Sequence, residues 1–110
     1  MTLRQIECFL RLADNLSFAK TAAEMFTTQP TITRDIQTIE NELGIKLFER
    51  TRRSVELTPA GLVLKDDFGV LYAGLSNAVT KARDTQIRFR EQLRIGFCNC
   101  ASVQIGRAHV

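Results

Sequence analysis

Apolar residues recur along this chain at two different spacings, and the changes of spacing divide it into elements. Between Gln29 and Gly44, the residues Ile32, Ile36, Ile39 and Leu43 are separated by four, three and four positions. That places them on one narrow stripe of an α-helix. The other side of the same helix carries Gln29, Pro30, Thr33, Arg34 and Gln37, amide, hydroxyl and guanidinium groups that offer little to bury. Thr28 suits the N-cap, Pro30 falls in the first turn where an N–H has no partner to lose, and Gly44 closes the end. An apolar stripe needs a scaffold behind it. Gln, Thr and Arg within two turns suit insertion into a partner, and the B-DNA major groove admits a helix whose Arg and Gln read guanine and adenine.

Upstream, Thr2-Leu3-Arg4-Gln5 reads as a capping box, and Leu3, Ile6, Phe9, Leu10 and Ala13 form a helical stripe ending near Asn15. Ser17 caps a short helix through Met25, with Phe18, Ala22, Ala23 and Phe26 expected to face inward. Phe26-Thr27-Thr28 then connects it to the helix described above. Two helices joined by so short a turn, the second exposing polar groups, make a helix-turn-helix. After Gly44 the period falls to two: Leu47–Arg50 and Ser54–Leu57 alternate around Thr51-Arg52-Arg53. This predicts a two-stranded wing with a basic tip, leaning on the helices through Leu47, Phe48, Val55 and Leu57.

Thr58-Pro59 is a cap followed by proline at the first helical position. Beyond it Leu64, Phe68, Leu71, Leu75, Ala78, Ala82, Thr85 and Phe89 step by alternating fours and threes, a heptad-like seam. A helix from Pro59 to near Arg90 would be roughly 45 Å long. The body before Pro59 cannot cover that length, so pairing with a second subunit is favoured over packing on the chain's own domain. Gln92–Phe97 reads as the first strand of a further domain.

The expected fold is therefore mainly α: a winged helix-turn-helix with a two-stranded wing over residues 1–58, then a long linker (dimerisation) helix over 59–90. Residues 91–104 are expected to begin another domain. Residues 105–110 break the pattern and match the translation of a common sequencing adapter, so a non-native tail on a truncated reading frame is expected there. His109, the one histidine, lies in that tail.

The 110 residues are 45% hydrophobic and 25% charged, which suits one soluble globular domain with something attached. Net charge is +3, but up to Leu57 there are eight positive and eight negative groups. Four of the positive ones, Lys46, Arg50, Arg52 and Arg53, fall within eight residues. A local basic cluster on a neutral body fits nucleic-acid contact, although a solvated hairpin tip would look the same by charge alone. There is no membrane-length apolar run and no signal-peptide core at the start. Cys8, Cys98 and Cys100 lack zinc-ligand spacing and read as reduced thiols in a cytoplasmic protein. Cys8 suits packing or surface. With no usable histidine, metal-ligand cluster or glycine-rich phosphate loop, an enzyme is not expected, and neither is a cofactor.

With these residues in place the chain resembles the amino-terminal part of a LysR-type transcriptional regulator, from Leu3 to about Phe97. The resemblance is carried by Leu16-Ser17-Phe18 with Ala22-Ala23, Gln29-Pro30 with Thr33-Arg34 and Ile36, and Glu40 with Glu42-Leu43-Gly44. It continues through Leu47-Phe48-Glu49-Arg50 and Leu57-Thr58-Pro59-Ala60-Gly61. Each piece is weak alone; in order and at these spacings they are specific. The resemblance implies double-stranded DNA as partner, a homodimer through the linker helix, a tetramer at full length, and a small-molecule inducer bound by a sensor domain. It places Gln29, Pro30, Thr31, Thr33 and Arg34 at bases or sugars, with Gln37 open between groove contact and a solvated face.

It also places Arg52 and Arg53 in the minor groove, and Ser17, Phe18 and Thr28 at phosphates. Arg50 is a phosphate candidate that equally suits bracing the hairpin against Glu49 or Glu56. Leu64, Phe68, Leu71, Leu75, Ala78 and Ala82 are the expected dimer seam. Cys100 and Ser102 are faint candidates for the inducer, Ser102 being as well explained as a turn residue. Thr28 and Thr33 stand where the family usually has serine, and Asp35 where glutamine is common, so Asp35 is expected to face away from phosphate or to temper affinity. A winged-helix module that binds protein rather than DNA is the alternative, and it would need an apolar patch on the third helix.

Overall fold

The computed structural model describes residues 1–96, with side chains through Leu93. Its elements are α1 (Leu3–Asn15), α2 (Phe18–Glu24), α3 (Gln29–Leu43), β1 (Phe48–Arg50), β2 (Val55–Leu57) and α4 (Pro59–Gly96). Each of the first three helices starts at the cap that the sequence predicts. In α1 the Thr2 hydroxyl accepts from Gln5 N at 3.1 Å while Gln5 Oε1 accepts from Thr2 N at 2.9 Å, so two otherwise unpaired donors are satisfied reciprocally. Ser17 Oγ accepts from Lys20 N, and Thr28 Oγ1 from Thr31 N. Gly44 ends α3 at φ 68°, its N–H bonded to Glu40 O.

Asn15 ties the first two helices together. Its Oδ1 accepts from Ser17 N at 2.9 Å and lies 3.0 Å from the hydroxyl of fully buried Thr21. The α2–α3 turn differs from expectation. Phe26 is 96% exposed, not inward, and Ala23 is exposed as well. Phe26 takes the left-handed conformation at φ 55°, with Thr27 N bonded to Ala22 O. That reversal ends α2 and swings the Phe26 side chain outward.

The core forms where α1, α2 and α3 meet the root of the wing. Phe9 lies at its centre, meeting Phe48 of β1 (centroids 5.6 Å) and Phe68 of α4 (6.0 Å) edge-on. Ile32, Ile36 and Ile39 are buried as the stripe predicts, whereas Leu43, at its far end, is exposed. On α1, Cys8 and Leu12 are buried along with Phe9 and Ala13, so that stripe is wider than its predicted members.

Phe48 pairs with Leu57, Glu49 with Glu56 and Arg50 with Val55 in the antiparallel hairpin. Each strand is one residue shorter than expected, although single backbone bonds in the same register continue past both ends. Leu47 O accepts from Thr58 N, and Ser54 O accepts from Thr51 N to close the turn.

α4 differs from expectation at both ends. Leu64 and Phe68 are half-buried against the chain's own core, where the first turns of α4 cover Phe9. The strand expected over Gln92–Phe97 is absent as far as Gly96, since α4 continues through these residues. Phe97 and residues 98–110, including Cys100 and Ser102, lie outside the described residues. Within the stretch from Gly74, taken by itself, Leu75, Ala78, Val79, Ala82 and Ile87 are exposed.

Gly61 is constrained by space. A β-carbon there would overlap the Leu47 carbonyl oxygen and crowd Leu57, whereas one at Gly69 would meet nothing within 4 Å. Gly61→Ala should therefore destabilise the protein by about 1–3 kcal/mol through overpacking, while Gly69→Ala should stabilise it by about 1 kcal/mol through helix propensity. Urea unfolding of both variants measures the contrast, and equal shifts would remove the steric account.

Burial, aided by the nearby carboxylate of Asp35, pushes the Cys8 thiol from its ordinary 9.0 up to about 12. The folded state thus holds its proton where the unfolded chain releases it, so stability is complete below pH 9 and declines as pH rises toward 12. The decline attributable to Cys8 should approach roughly 1.4 kcal/mol per pH unit. Cys8→Ala should flatten the unfolding free energy measured across that alkaline range.

Candidate nucleic-acid interface

At 100° per residue, Gln29, Thr33, Gln37, Pro30 and Arg34 fall within an arc of about 140° on α3. Ile32, Ile36 and Ile39 occupy the opposite arc and are buried. The amphipathic pattern therefore aims the polar set outward without any further device. In the folded chain these five residues and Arg50 line one open groove. Five of the six predicted base-contacting residues are thus brought together, and one phosphate candidate joins them from the wing. Thr31 is the exception. It sits half-buried at the groove's flank, its hydroxyl 3.0 Å from that of Thr28.

Asp35 lies near enough to α1 for its carboxylate to raise the Cys8 thiol pKa. It is half-buried and takes no part in the groove lining. A second open depression, sharing Gln37 with the first, lies at the end of α3 among Glu40, Asn41, Gly44, Ile45 and Lys46.

Arg50 does not brace against Glu49 or Glu56. Its guanidinium carbon lies 3.9 Å above the centroid of the Phe18 ring. Among the described residues the ion pairs are Met1–Glu42, Arg11–Glu7 and Arg11–Glu24, so Arg34, Arg50, Arg52 and Arg53 have no carboxylate partner there. Arg52 and Arg53 are exposed at the wing tip, apart from the groove. The tip is shaped by Thr51, whose Oγ1 accepts from Ser54 N at 3.0 Å and from Arg53 N at 3.4 Å. Ser17 and Thr28 also lie outside the groove lining and serve as caps; a cap hydroxyl still has its own hydrogen to donate. Phe18 is buried, with 8% exposure.

Glu40 has a role that periodicity does not reveal. Its Oε2 accepts from Leu47 N at 2.7 Å and from Phe48 N at 3.4 Å, fixing the start of the wing to the end of α3. The available signal was an acidic residue one turn before the glycine C-cap, close to a chain reversal. Thr58 completes the wing root: its Oγ1 donates to Lys46 O at 2.7 Å and accepts from Gly61 N at 3.0 Å.

Amide and guanidinium groups at this spacing can donate and accept in pairs to base edges, and arginine can clamp phosphate oxygens. Among the described residues no group of three His, Cys, Asp or Glu could hold a metal ion. No helix there is long and apolar enough to cross a membrane.

The family model for bacterial regulatory helix-turn-helix proteins of the lysR family matches residues 3–62. The HTH-type transcriptional regulator TfdT of Cupriavidus pinatubonensis is 47% identical over 73 residues, covering 66% of this chain and 32% of TfdT. The Hca operon transcriptional activator HcaR of Escherichia coli is 33% identical over 105 residues, 96% of this chain and 35% of HcaR. Among solved structures, a BenM DBD/catB site 1 DNA complex superimposes with a TM-score of 0.73 at 33% identity, covering 76% of this chain and 93% of that one. The chain spans about a third of the length of TfdT and HcaR.

Removing the Glu40 carboxylate would leave the N–H of buried Leu47 unpaired. Glu40→Ala should cost about 1–3 kcal/mol, and Glu40→Gln, which keeps one acceptor oxygen, should cost less. Chemical denaturation of the two variants provides the comparison; a Glu40→Ala protein as stable as the parent would deny the carboxylate this bracing role.

Proposed function

Because the chain belongs to the LysR family of bacterial regulatory helix-turn-helix proteins, we propose that it is the DNA-reading part of a transcriptional regulator. The observation that carries this reading is the convergence of Gln29, Pro30, Thr33, Arg34, Gln37 and Arg50 on one open polar groove. In the proposed complex α3 enters the major groove, where Gln29, Thr33, Arg34 and Gln37 meet base edges with Pro30 and Thr31 against neighbouring sugars. Arg52 and Arg53 enter the minor groove from the wing tip. Ser17, Thr28 and Arg50 hold phosphates, with the backbone N–H groups at Phe18 contributing at the start of α2. A protein-docking winged helix would require an apolar patch on α3, and the exposed face there is polar.

Residues 1–58 are proposed as the reading domain and α4 as the linker through which two copies pair. Leu71, Leu75, Ala78 and Ala82 remain exposed and available for that pairing. A sensor domain for a small-molecule inducer is proposed for the full-length protein, with regulation of DNA in the cell, rather than catalysis, as its task.

Selection of bound duplexes from a random pool by the 110-residue chain, at about 0.1 M salt where exposed charges are screened beyond ~10 Å, tests both parts. Enrichment of an interrupted inverted repeat is expected. A single half-site would overturn pairing through α4, and no enrichment by folded protein would overturn DNA reading. On the selected duplex Arg34→Ala should cost about 1–3 kcal/mol and relax preference at one base position if Arg34 reads a guanine. Uniform weakening across sequences would reassign it to phosphate, and unchanged binding would remove it from the site.

A further inference from the structure

We propose that Phe18 is a positioning residue: its buried ring holds the Arg50 guanidinium beside the recognition groove as a fixed cation for a DNA phosphate. The inference rests on the DNA-binding reading above and adds to it a function for a side chain that otherwise belongs to the core. Three observations meet here. The guanidinium carbon is 3.9 Å from the Phe18 centroid. The Phe18 residue is only 8% exposed and belongs to the core cluster, so the platform is packed into the body of the domain and not into the wing. Arg50 lines the groove with Gln29, Arg34 and Gln37, and it also lines the narrow cleft below with Phe18, Thr33 and Ile36. The guanidinium therefore stands where the groove passes into the cleft.

The way Arg50 is held leaves it able to bind. Stacking uses the flat face of a guanidinium, whereas hydrogen bonding uses the N–H groups at its edge. Bracing against Glu49 or Glu56 would have tied up donors and cancelled charge. The stack on Phe18 does neither, and it restricts a long side chain whose freedom would otherwise be lost on binding. Glu49 and Glu56, directly opposed across the strands, form no ion pair with Arg50 among the described residues.

The test is a double-mutant cycle on DNA affinity with the 110-residue chain and the duplex selected above. Arg50→Ala should flatten the salt dependence by about 0.9 in the log–log slope, the mark of one lost phosphate contact. Replacing Phe18 by a ring-fluorinated phenylalanine keeps its shape and weakens the electron-rich face. It should lower affinity about two- to fivefold when Arg50 is present and leave it unchanged in the Arg50→Ala background. Phe18→Leu should show the same dependence on Arg50; if that variant fails to fold, the fluorinated ring decides. Equal losses with and without Arg50 would make Phe18 merely structural and overturn the proposal. So would an Arg50→Ala protein with unaltered affinity and slope. If the parent chain binds no duplex, the DNA reading itself fails, and that outcome is visible before any variant is made.

Discussion

The structure depends on one aromatic junction where α1, the wing and α4 meet. Phe9 is the residue that makes this work. Fully buried on α1, it meets Phe48 at the start of the wing and Phe68 on α4 edge-on, an arrangement that adds aromatic electrostatics to burial. Elements far apart in sequence are joined through that one ring. The hairpin, which would not be stable alone, acquires its anchor there through Phe48. The opening turns of α4 acquire theirs through Phe68, and Gly61 keeps them close enough to reach it.

On this frame the polar face of α3 is held by groups that never face the groove. Ile32, Ile36 and Ile39 seat the helix, and the Glu40 carboxylate carries its orientation on to the wing through Leu47 and Phe48. The wing is thus tied to α3 by hydrogen bonds at Glu40 and to α2 by an arginine–aromatic contact, where Arg50 lies over Phe18. Both contacts cross from one element to another, and both leave the outward donors of Gln29, Arg34 and Gln37 uncommitted. A surface that reads a partner by hydrogen bonds needs this separation between groups that position and groups that contact.

Much of the fold was legible because its signals are short in range. The cap residues Thr2, Ser17, Thr28 and Gly44, the proline at the start of α4 and the period-two wing each act within a few residues of themselves. Each appears in the structure at or within one residue of its expected place. The groove was legible for the same reason, since Gln29, Thr33, Arg34 and Gln37 share a helical face by spacing alone. Where local rules misled, a distant partner or a backbone reversal had intervened. Phe26 is apolar yet exposed because the left-handed turn beneath it points outward, and Leu64 and Phe68 fit a heptad seam yet pack on the core. Gln92–Gly96 reads as a strand by its pattern, and α4 runs through it.

The sequence by itself determined the capped starts of the helices, the two-stranded wing and the chemistry of the polar face of α3, because caps, periodicity and side-chain identity are properties of neighbouring residues. Tertiary structure alone decided that Arg50 stacks on Phe18, that Glu40 braces the wing, that Gly61 admits no side chain and that Asp35 comes near Cys8. Each of these pairs or fits groups on different elements. Such a choice among several acceptable partners is made only when packing fixes which of them lie within a few ångströms.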